Sequence, residues 1–286
     1  MDLEEALERA RRGAEIACGL MMRHYRGDYA VYTKGDAADR AGAVLTEPDL
    51  LCDAALLEHF GTLYPDHAVV SEESHGSLPN GWHEREWIWH IDPIDGSLSY
   101  LEGTGNFGVS IGLVRGGEPV LGVLRNPAQG VEAWAAAGLG AFVNGEPVAF
   151  KEPCDNPPRL LLSSNQAGRR SYRRAVEILR PGEIIKLESV VTKAIYLLQG
   201  RGDYYFSLPA EVFGGGRPSV WDLAGAAAIV AEAGGAATDI YGEPLRFPGP
   251  ELAWSRGHLF AHPEAADAAR KQLEELIAER RGDVNN

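Results

Sequence analysis

Cysteine is scarce in this chain: Cys18, Cys52 and Cys154 are the whole complement, and they lie far apart. An odd, scattered set with no C-x-x-C pair excludes a disulfide-stapled scaffold and suits a reducing compartment. Apolar runs of membrane-spanning length are missing as well. Residues 1–20 carry Glu and Arg instead of a secretory apolar core and cleavage site. A cytoplasmic protein with no membrane partner is expected. Positive charge is the third shortage, with 27 Lys and Arg against 41 Asp and Glu and a net charge of −14. Nucleic acid does not suit that balance as a main partner. An anionic small substrate would be repelled too, unless local cations such as metal ions received it.

Familiar catalytic motifs are also absent. There is no Walker A lysine, no G-x-S-x-G elbow and no H-E-x-x-H. Gly103-Thr104-Gly105-Asn106-Phe107-Gly108 fits G-x-G-x-x-G, but a helix precedes it and a strand follows. A dinucleotide site needs the reverse order. The D-x-D nucleophile of haloacid-dehalogenase-type phosphatases is excluded by spacing, because two residues separate Asp92 from Asp95. Otherwise the composition is ordinary, with 45% hydrophobic and 24% charged residues over 286 positions. That length accommodates one large domain or two fused subdomains.

One stretch organises what is present: Trp89-His90-Ile91-Asp92-Pro93-Ile94-Asp95-Gly96-Ser97. Residues 87–91 read as a strand of large, β-favouring side chains. Pro93 cannot donate to a ladder, so the backbone is expected to leave the sheet next to Asp92. Asp95 and Gly96 make a turn, and Ser97 is placed to cap a short helix through Leu101. Two carboxylates then meet a helix N-terminus where an anion can bind. Hard oxygen donors beside such a cradle point to a divalent cation holding a phosphate. An Asp-Pro turn with an ordinary N-cap is the other reading, and the local pattern leaves both open.

Along the chain, residues 3–25 have helical periodicity, and 26–42 read as a loop or hairpin. Thr46-Glu47-Pro48-Asp49 opens a helix through Phe60, with Asp49 placed either for a capping box or for chemistry. A strand over 68–70 leads into Ser71-Glu72-Glu73. Strands follow at 109–114, 120–124, 131–136 and 141–143. Residues 151–158 form a candidate boundary between an N-terminal unit (1–150) and a C-terminal one (151–286). Beyond it, strands at 160–163, 184–187 and 203–206 alternate with helices at 172–179, 191–199 and 221–233, and 208–219 reads as a loop. A last helix spans 261–279. His90 reads as structural, Cys52 as core, Cys154 as a loop residue, and Lys193 as either a solvated lysine or a ligand contact.

Four motifs in order resemble the inositol monophosphatase family. Asp92-Pro93-Ile94-Asp95-Gly96-Ser97 resembles its D-P-[IL]-D-G-[TS] signature. Trp221-Asp222-Leu223-Ala224-Gly225 with Glu232-Ala233-Gly234-Gly235 resembles its second signature. Ser71-Glu72-Glu73 and Thr46-Glu47-Pro48-Asp49 match its E-E and T-x-x-D elements. The resemblance implies an α/β layered α/β/α/β/α sandwich of the sugar-phosphatase type, with a mixed α+β N-terminal half and an α/β C-terminal half. It implies a phosphomonoesterase with two or three Mg²⁺ ions held by Glu72, Asp92, Asp95, Asp222 and the Ile94 carbonyl. Asp49 and Ser97 match the positions that orient and activate the attacking water, and Gly96 and Ser97 match donors to the substrate phosphate. A homodimer is left open.

Departures from the family pattern bear on the substrate, a small phosphate ester. Inositol-selective members carry a glutamate a few residues before the W-D pair, whereas this chain has Gly214-Gly215-Gly216-Arg217, with Glu211 further off. The region around Gly103–Phe107 and Lys193 is closer to the bisphosphate nucleotidase branch, which hydrolyses 3'-phosphoadenosine 5'-phosphate. Lys193 and Arg217 are therefore candidate contacts to a second phosphate, on that substrate or on an inositol bisphosphate. Inositol-1-monophosphatase and fructose-1,6-bisphosphatase are the alternatives. A non-catalytic metal- or phosphate-binding regulator is the rival of another class, and retention of Asp49 and the Ser97 hydroxyl counts against it.

Overall fold

The computed structural model describes residues 1–34, 44–150 and 154–284. Helix α1 (Leu3–His24) starts at Asp2, whose carboxylate accepts the Glu4 and Glu5 N–H groups. Strands β1 (Val31–Thr33) and β2 (Val44–Thr46) pair antiparallel, so the stretch read as loop or hairpin holds one strand, whose partner begins just beyond it. The outer part of the 26–42 stretch and the first three residues of the 151–158 boundary lie outside the described residues. Helix α2 (Glu47–Leu63) opens on the expected capping box of Thr46 and Asp49.

Seven strands form the first sheet: β3 (Ala68–Ser71), β4 (Trp87–Asp95), β5 (Gly108–Arg115), β6 (Glu118–Asn126), β7 (Val131–Ala136), β8 (Gly140–Val143) and β9 (Glu146–Val148). They lie in sequence order, and all neighbours are antiparallel except β3 with β4. A short helix, α3 (Ser97–Leu101), interrupts the run after β4. The second sheet is formed by β10 (Arg159–Leu162), β11 (Glu183–Lys186), β12 (Tyr204–Ser207), β13 (Ala236–Thr238) and β14 (His258–Ala261), in the order β11-β10-β12-β14-β13. The helices of this half are α4 (Ser164–Gly168), α5 (Arg170–Leu179), α6 (Val190–Leu198), α7 (Ala210–Phe213), α8 (Val220–Glu232) and α9 (Pro263–Val284). Strands β13 and β14 and helix α7 have no counterpart in the sequence reading.

Side-chain alternation sorts these elements into five layers. Val109, Ile111 and Leu113 of β5 face Ala10, Ala14 and Leu56 of α1 and α2. On the other side of that sheet, Leu223 and Ala227 of α8 and Val191 and Ile195 of α6 share a core with Leu161, Tyr205 and Phe260 of the second sheet. The neighbours of those three, Leu160, Leu162, Tyr204, Phe206 and Leu259, point the opposite way onto α5 and α9. A period of two along each strand produces this sorting. The result is the expected α/β/α/β/α sandwich.

Close packing sets α8 against the first sheet. A Cβ at Gly122 would stand 2.1 Å from the Gly225 carbonyl oxygen, and one at Gly112 would stand 2.6 Å from the Gly225 nitrogen. Only glycine permits that approach, which seats the second turn of α8 on β5 and β6.

Candidate active site

The centre of the site is an irregularity in β4. Asp92 pairs with Ser110 and Asp95 with Gly108, with a register shift between them. The strand therefore runs past the stop expected near Asp92. Pro93 breaks one rung of the ladder, and pairing then resumes. Residues three apart on a flat strand point to opposite faces, and one bulged residue restores the parity. Asp92 and Asp95 accordingly both face the helix layer.

Gly96 follows in the left-handed region at φ +94°, where a Cβ would lie 2.8 Å from the Asn106 oxygen. The sequence reading gave Ser97 the role of helix cap, but Gly96 is the N-cap and Ser97 the first helical residue. The Ser97 hydroxyl is thereby released from capping. It donates to Asp49 Oδ1 at 2.8 Å and to the Ile94 carbonyl at 3.1 Å. Asp49 closes the capping box, its Oδ2 taking the Thr46 N–H at 2.8 Å and the Thr46 hydroxyl, while Oδ1 is left to Ser97. Burial pushes its carboxyl above the ordinary value.

Two further elements complete the cleft. Glu72 leaves β3 with its N–H bonded to the Ile91 carbonyl at 3.1 Å. Asp222 is the third residue of α8, where Oδ2 accepts the Ser219 N–H at 2.7 Å. The Ser110 hydroxyl donates to the Trp221 carbonyl at 3.0 Å and ties that turn to β5. One carboxylate oxygen each from Glu72, Asp92 and Asp222 lies within 4.8 Å of the others. Asp95 stands beside this trio rather than in it. Its Oδ2 is taken by the Ser189 hydroxyl at 2.6 Å and the Val191 N–H at 2.5 Å, at the start of α6.

Burial raises Asp92 and Asp222 well above the usual carboxylate range, and the charges of Glu72 and Asp95 push both further. Asp95 is raised by burial against the Ser189 and Val191 hydrogen bonds. Glu73 is pushed up to about 7 by burial and by Glu72. Asp92 Oδ1 is fully buried with no hydrogen-bond partner among the described residues. A buried anionic oxygen without a donor is costly unless a cation meets it. The donor set is all oxygen, which fits a hard divalent cation.

The remaining predicted residues divide. Lys193 is buried, not solvated, and it faces Asp95, Asp222 and Glu188. Burial lowers its pKa, and these carboxylates oppose that shift. Arg217 lies exposed on the approach to α8 and is not brought into the cluster. His90 is buried at 2% exposure, with neither ring nitrogen bonded. Sequence reasoning missed Ser189 and Lys34. Ser189 caps α6 through the Thr192 N–H at 3.1 Å, and a serine before the apolar run of α6 was the available signal. Lys34 bridges Glu72 Oε1 and Glu73 Oε1, each at 2.7 Å. Nothing local in its polar hairpin marks it.

A five-layer sandwich with converging carboxylates on a bulged strand and a helix start defines a metal-dependent phosphoryl-cleaving class of enzyme. The sequence model of the inositol monophosphatase family matches residues 2–284, and the chain belongs to that family. It is a phosphoric monoester hydrolase of the metal-dependent kind. A glucose-1-phosphate thymidylyltransferase of Streptomyces griseus is 36% identical over 84% of this chain and 88% of its own length. The 3'(2'),5'-bisphosphate nucleotidase of Escherichia coli is 28% identical over 71% and 79% respectively. An inositol monophosphatase structure from Thermotoga maritima superposes with a TM-score of 0.78 at 27% identity, covering 96% of this chain and 99% of that one. No described helix is long and apolar enough to cross a membrane.

Proposed function

We propose that the chain is a Mg²⁺-dependent phosphatase for a small metabolite carrying two phosphates, such as 3'-phosphoadenosine 5'-phosphate or an inositol bisphosphate. The convergence of Glu72, Asp92 and Asp222 around a donorless Asp92 oxygen carries the chemistry. These three, with Asp95 and the Ile94 carbonyl, would hold two or three Mg²⁺ ions. Ions bound there would lower the pKa of a water and neutralise charge on the leaving oxygen.

The chain's own groups supply the positioning. Asp49 and Ser97 form a bonded pair at the cleft, with the Ser97 hydroxyl oriented by two acceptors at once. That pair orients the attacking water, and the raised carboxyl of Asp49 suits it to accept a proton. The Gly96 turn presents its own and the Ser97 backbone N–H to the substrate phosphate. Lys193 balances charge beneath the carboxylates, so the second phosphate falls to Arg217.

The loop before α8 supports the bisphosphate reading. Residues 214–217 hold three glycines and a guanidinium, with no carboxylate to accept polyol hydroxyls. Glu211 is turned away, bonded by the Tyr241 hydroxyl at 3.4 Å and paired with Arg281 at 3.5 Å. A site lacking buried hydroxyl acceptors gives up its selectivity for polyols. Phosphate release measured across bisphosphates, inositol 1-phosphate, fructose 1,6-bisphosphate and other sugar phosphates, with and without Mg²⁺, tests the proposal. Higher kcat/KM on inositol 1-phosphate would sink the substrate assignment alone. Pyrophosphate formed from dTTP and glucose 1-phosphate, with no phosphate release, would sink the hydrolase reading.

A further inference from the structure

A second group of ligand-type side chains converges away from the acidic cleft, where the chain enters the second sheet. One ligand atom each from Cys154, His262 and Glu264 lies within 4.8 Å of the others. Cys154 precedes β10, His262 follows β14, and Glu264 belongs to the first turn of α9. Backbone contacts hold this approach. The Cys154 N–H donates to Glu264 Oε2 at 3.2 Å across 110 positions of sequence. The His262 N–H donates to the Asp203 carbonyl at 2.7 Å, and the Phe150 ring stands edge-on to the imidazole at 5.5 Å.

We propose that Cys154, His262 and Glu264 form a second metal site, selective for a borderline-soft divalent cation such as zinc. Thiolate, imidazole and carboxylate are zinc ligands at about 2.0–2.3 Å, and three of them leave a fourth tetrahedral position for water. Donors at those lengths stand about 3.6 Å apart, so closing on an ion takes about 1 Å of side-chain movement. Magnesium prefers oxygen and gains little from sulfur and nitrogen, which separates this site from the cleft. A thiolate and a carboxylate also neutralise a dication. On binding, the Cys154 S–H bond breaks, sulfur bonds the metal and the proton leaves to solvent.

His262 Nδ1 accepts the Glu264 N–H at 3.2 Å. A metal on Nδ1 takes that lone pair, and a metal on Nε2 moves the ring proton to Nδ1, so either mode displaces the Glu264 N–H. The consequence is structural. A bound ion ties the segment before β10 to the start of α9.

Full-length protein, stripped with chelator and resaturated with Mg²⁺, is titrated with Co²⁺ as a spectroscopic substitute for zinc. Thiolate-to-cobalt charge-transfer absorption should rise to one equivalent and disappear on adding Zn²⁺. Cys154→Ser should abolish the band, and Glu264→Gln should weaken Co²⁺ binding at least about tenfold. Asp92→Asn should leave the band in place, since the cleft offers no sulfur. Zn²⁺ should also raise the melting temperature of the wild type and not of Cys154→Ser. No band in the wild type, or a band that survives Cys154→Ser, overturns the proposal. Survival would trace the absorption to Cys18 or Cys52, both buried in the first core. Equal melting shifts in both proteins would overturn the structural role.

Discussion

The acidic cleft and the loop that borders it are built on opposite terms. Each carboxylate of the cleft comes from a packed element whose backbone is fixed by its own contact. Glu72 is anchored to Ile91, Asp92 sits in the β4 ladder, and Asp222 lies in the capped first turn of α8. Residues 214–217 are exposed, and Gly214 and Gly215 have φ of +66° and +98°. On the proposed reading the reaction is encoded in the core, where one change disturbs several layers, and selectivity is left to a short glycine turn that can change without touching the sheets. If that division holds, substitutions in the cleft should alter turnover and metal affinity, and substitutions in the loop should alter KM.

The largest effect is expected at Asp92. Asp92→Asn keeps the shape but removes the charge that answers a cation. Activity should fall by about 10³-fold, the loss of roughly 4 kcal/mol, and calorimetry should show weaker Mg²⁺ binding. Full activity in that variant would remove the cleft from the mechanism.

Asp49→Asn separates structure from chemistry at one residue. Asparagine has a single acceptor oxygen; with that oxygen on Thr46 its NH2 must donate to Ser97 Oγ, reversing that contact at about 1 kcal/mol of stability. The charge that assists the water is lost as well, which should lower kcat about 10²-fold. Turnover equal to wild type, with only a lower melting temperature, would reduce Asp49 to a helix cap.

The legible parts of the molecule were those punctuated by local chemistry. Pro93, Gly96 and the capping residue Thr46 act on their own backbone, so a turn after Asp92 and the start of α2 could be read directly, whereas the bulge that carries β4 on to Asp95 and the Gly96 and Ser219 caps could not. Nor could strands β13 and β14. The residues Ala236–Thr238 carry weak β preference, and His258–Ala261 is buried on both faces, so neither alternates. Long-range partners were equally hidden. Lys193 reads as either a solvated lysine or a ligand contact until α6 is packed against α8, where Asp95 and Asp222 stand beside it. Its replacement by alanine is therefore expected to disturb the cleft itself rather than the affinity for a second phosphate.

The pH dependence of stability tests the crowding in the cleft. Asp92, Asp222, Asp95 and Asp49 are all raised, and Glu73 is raised to about 7. A raised folded-state value means that the folded protein holds protons more tightly than the unfolded chain, whose carboxyls titrate near ~4. The proton-linked stability is complete below that value and is lost as pH rises through the folded value, about 7 for Glu73. Metal-free protein should therefore melt at a lower temperature at pH 8 than at pH 5, with Glu73 alone contributing about 3 kcal/mol at most. Saturating Mg²⁺ should flatten this slope, because a cation replaces the protons. A slope unchanged by Mg²⁺ would mean that the raised carboxyls are not the metal ligands.

The smallest effect is expected at Arg217, on the other side of the comparison. The side chain is exposed, so its attraction for a second phosphate works through water and is worth about 1 kcal/mol. Arg217→Ala should raise KM for a bisphosphate about fivefold and leave kcat unchanged, because the contact is the same in ground and transition states. Inositol 1-phosphate has no second phosphate to lose, so its KM should not move. Raising the ionic strength should shrink the wild-type advantage, since exposed charges more than about 10 Å apart are screened at ~0.1 M salt. A fall in kcat, or an equal KM change on both substrates, would place Arg217 in the catalytic cleft and erase the distinction between buried chemistry and exposed recognition.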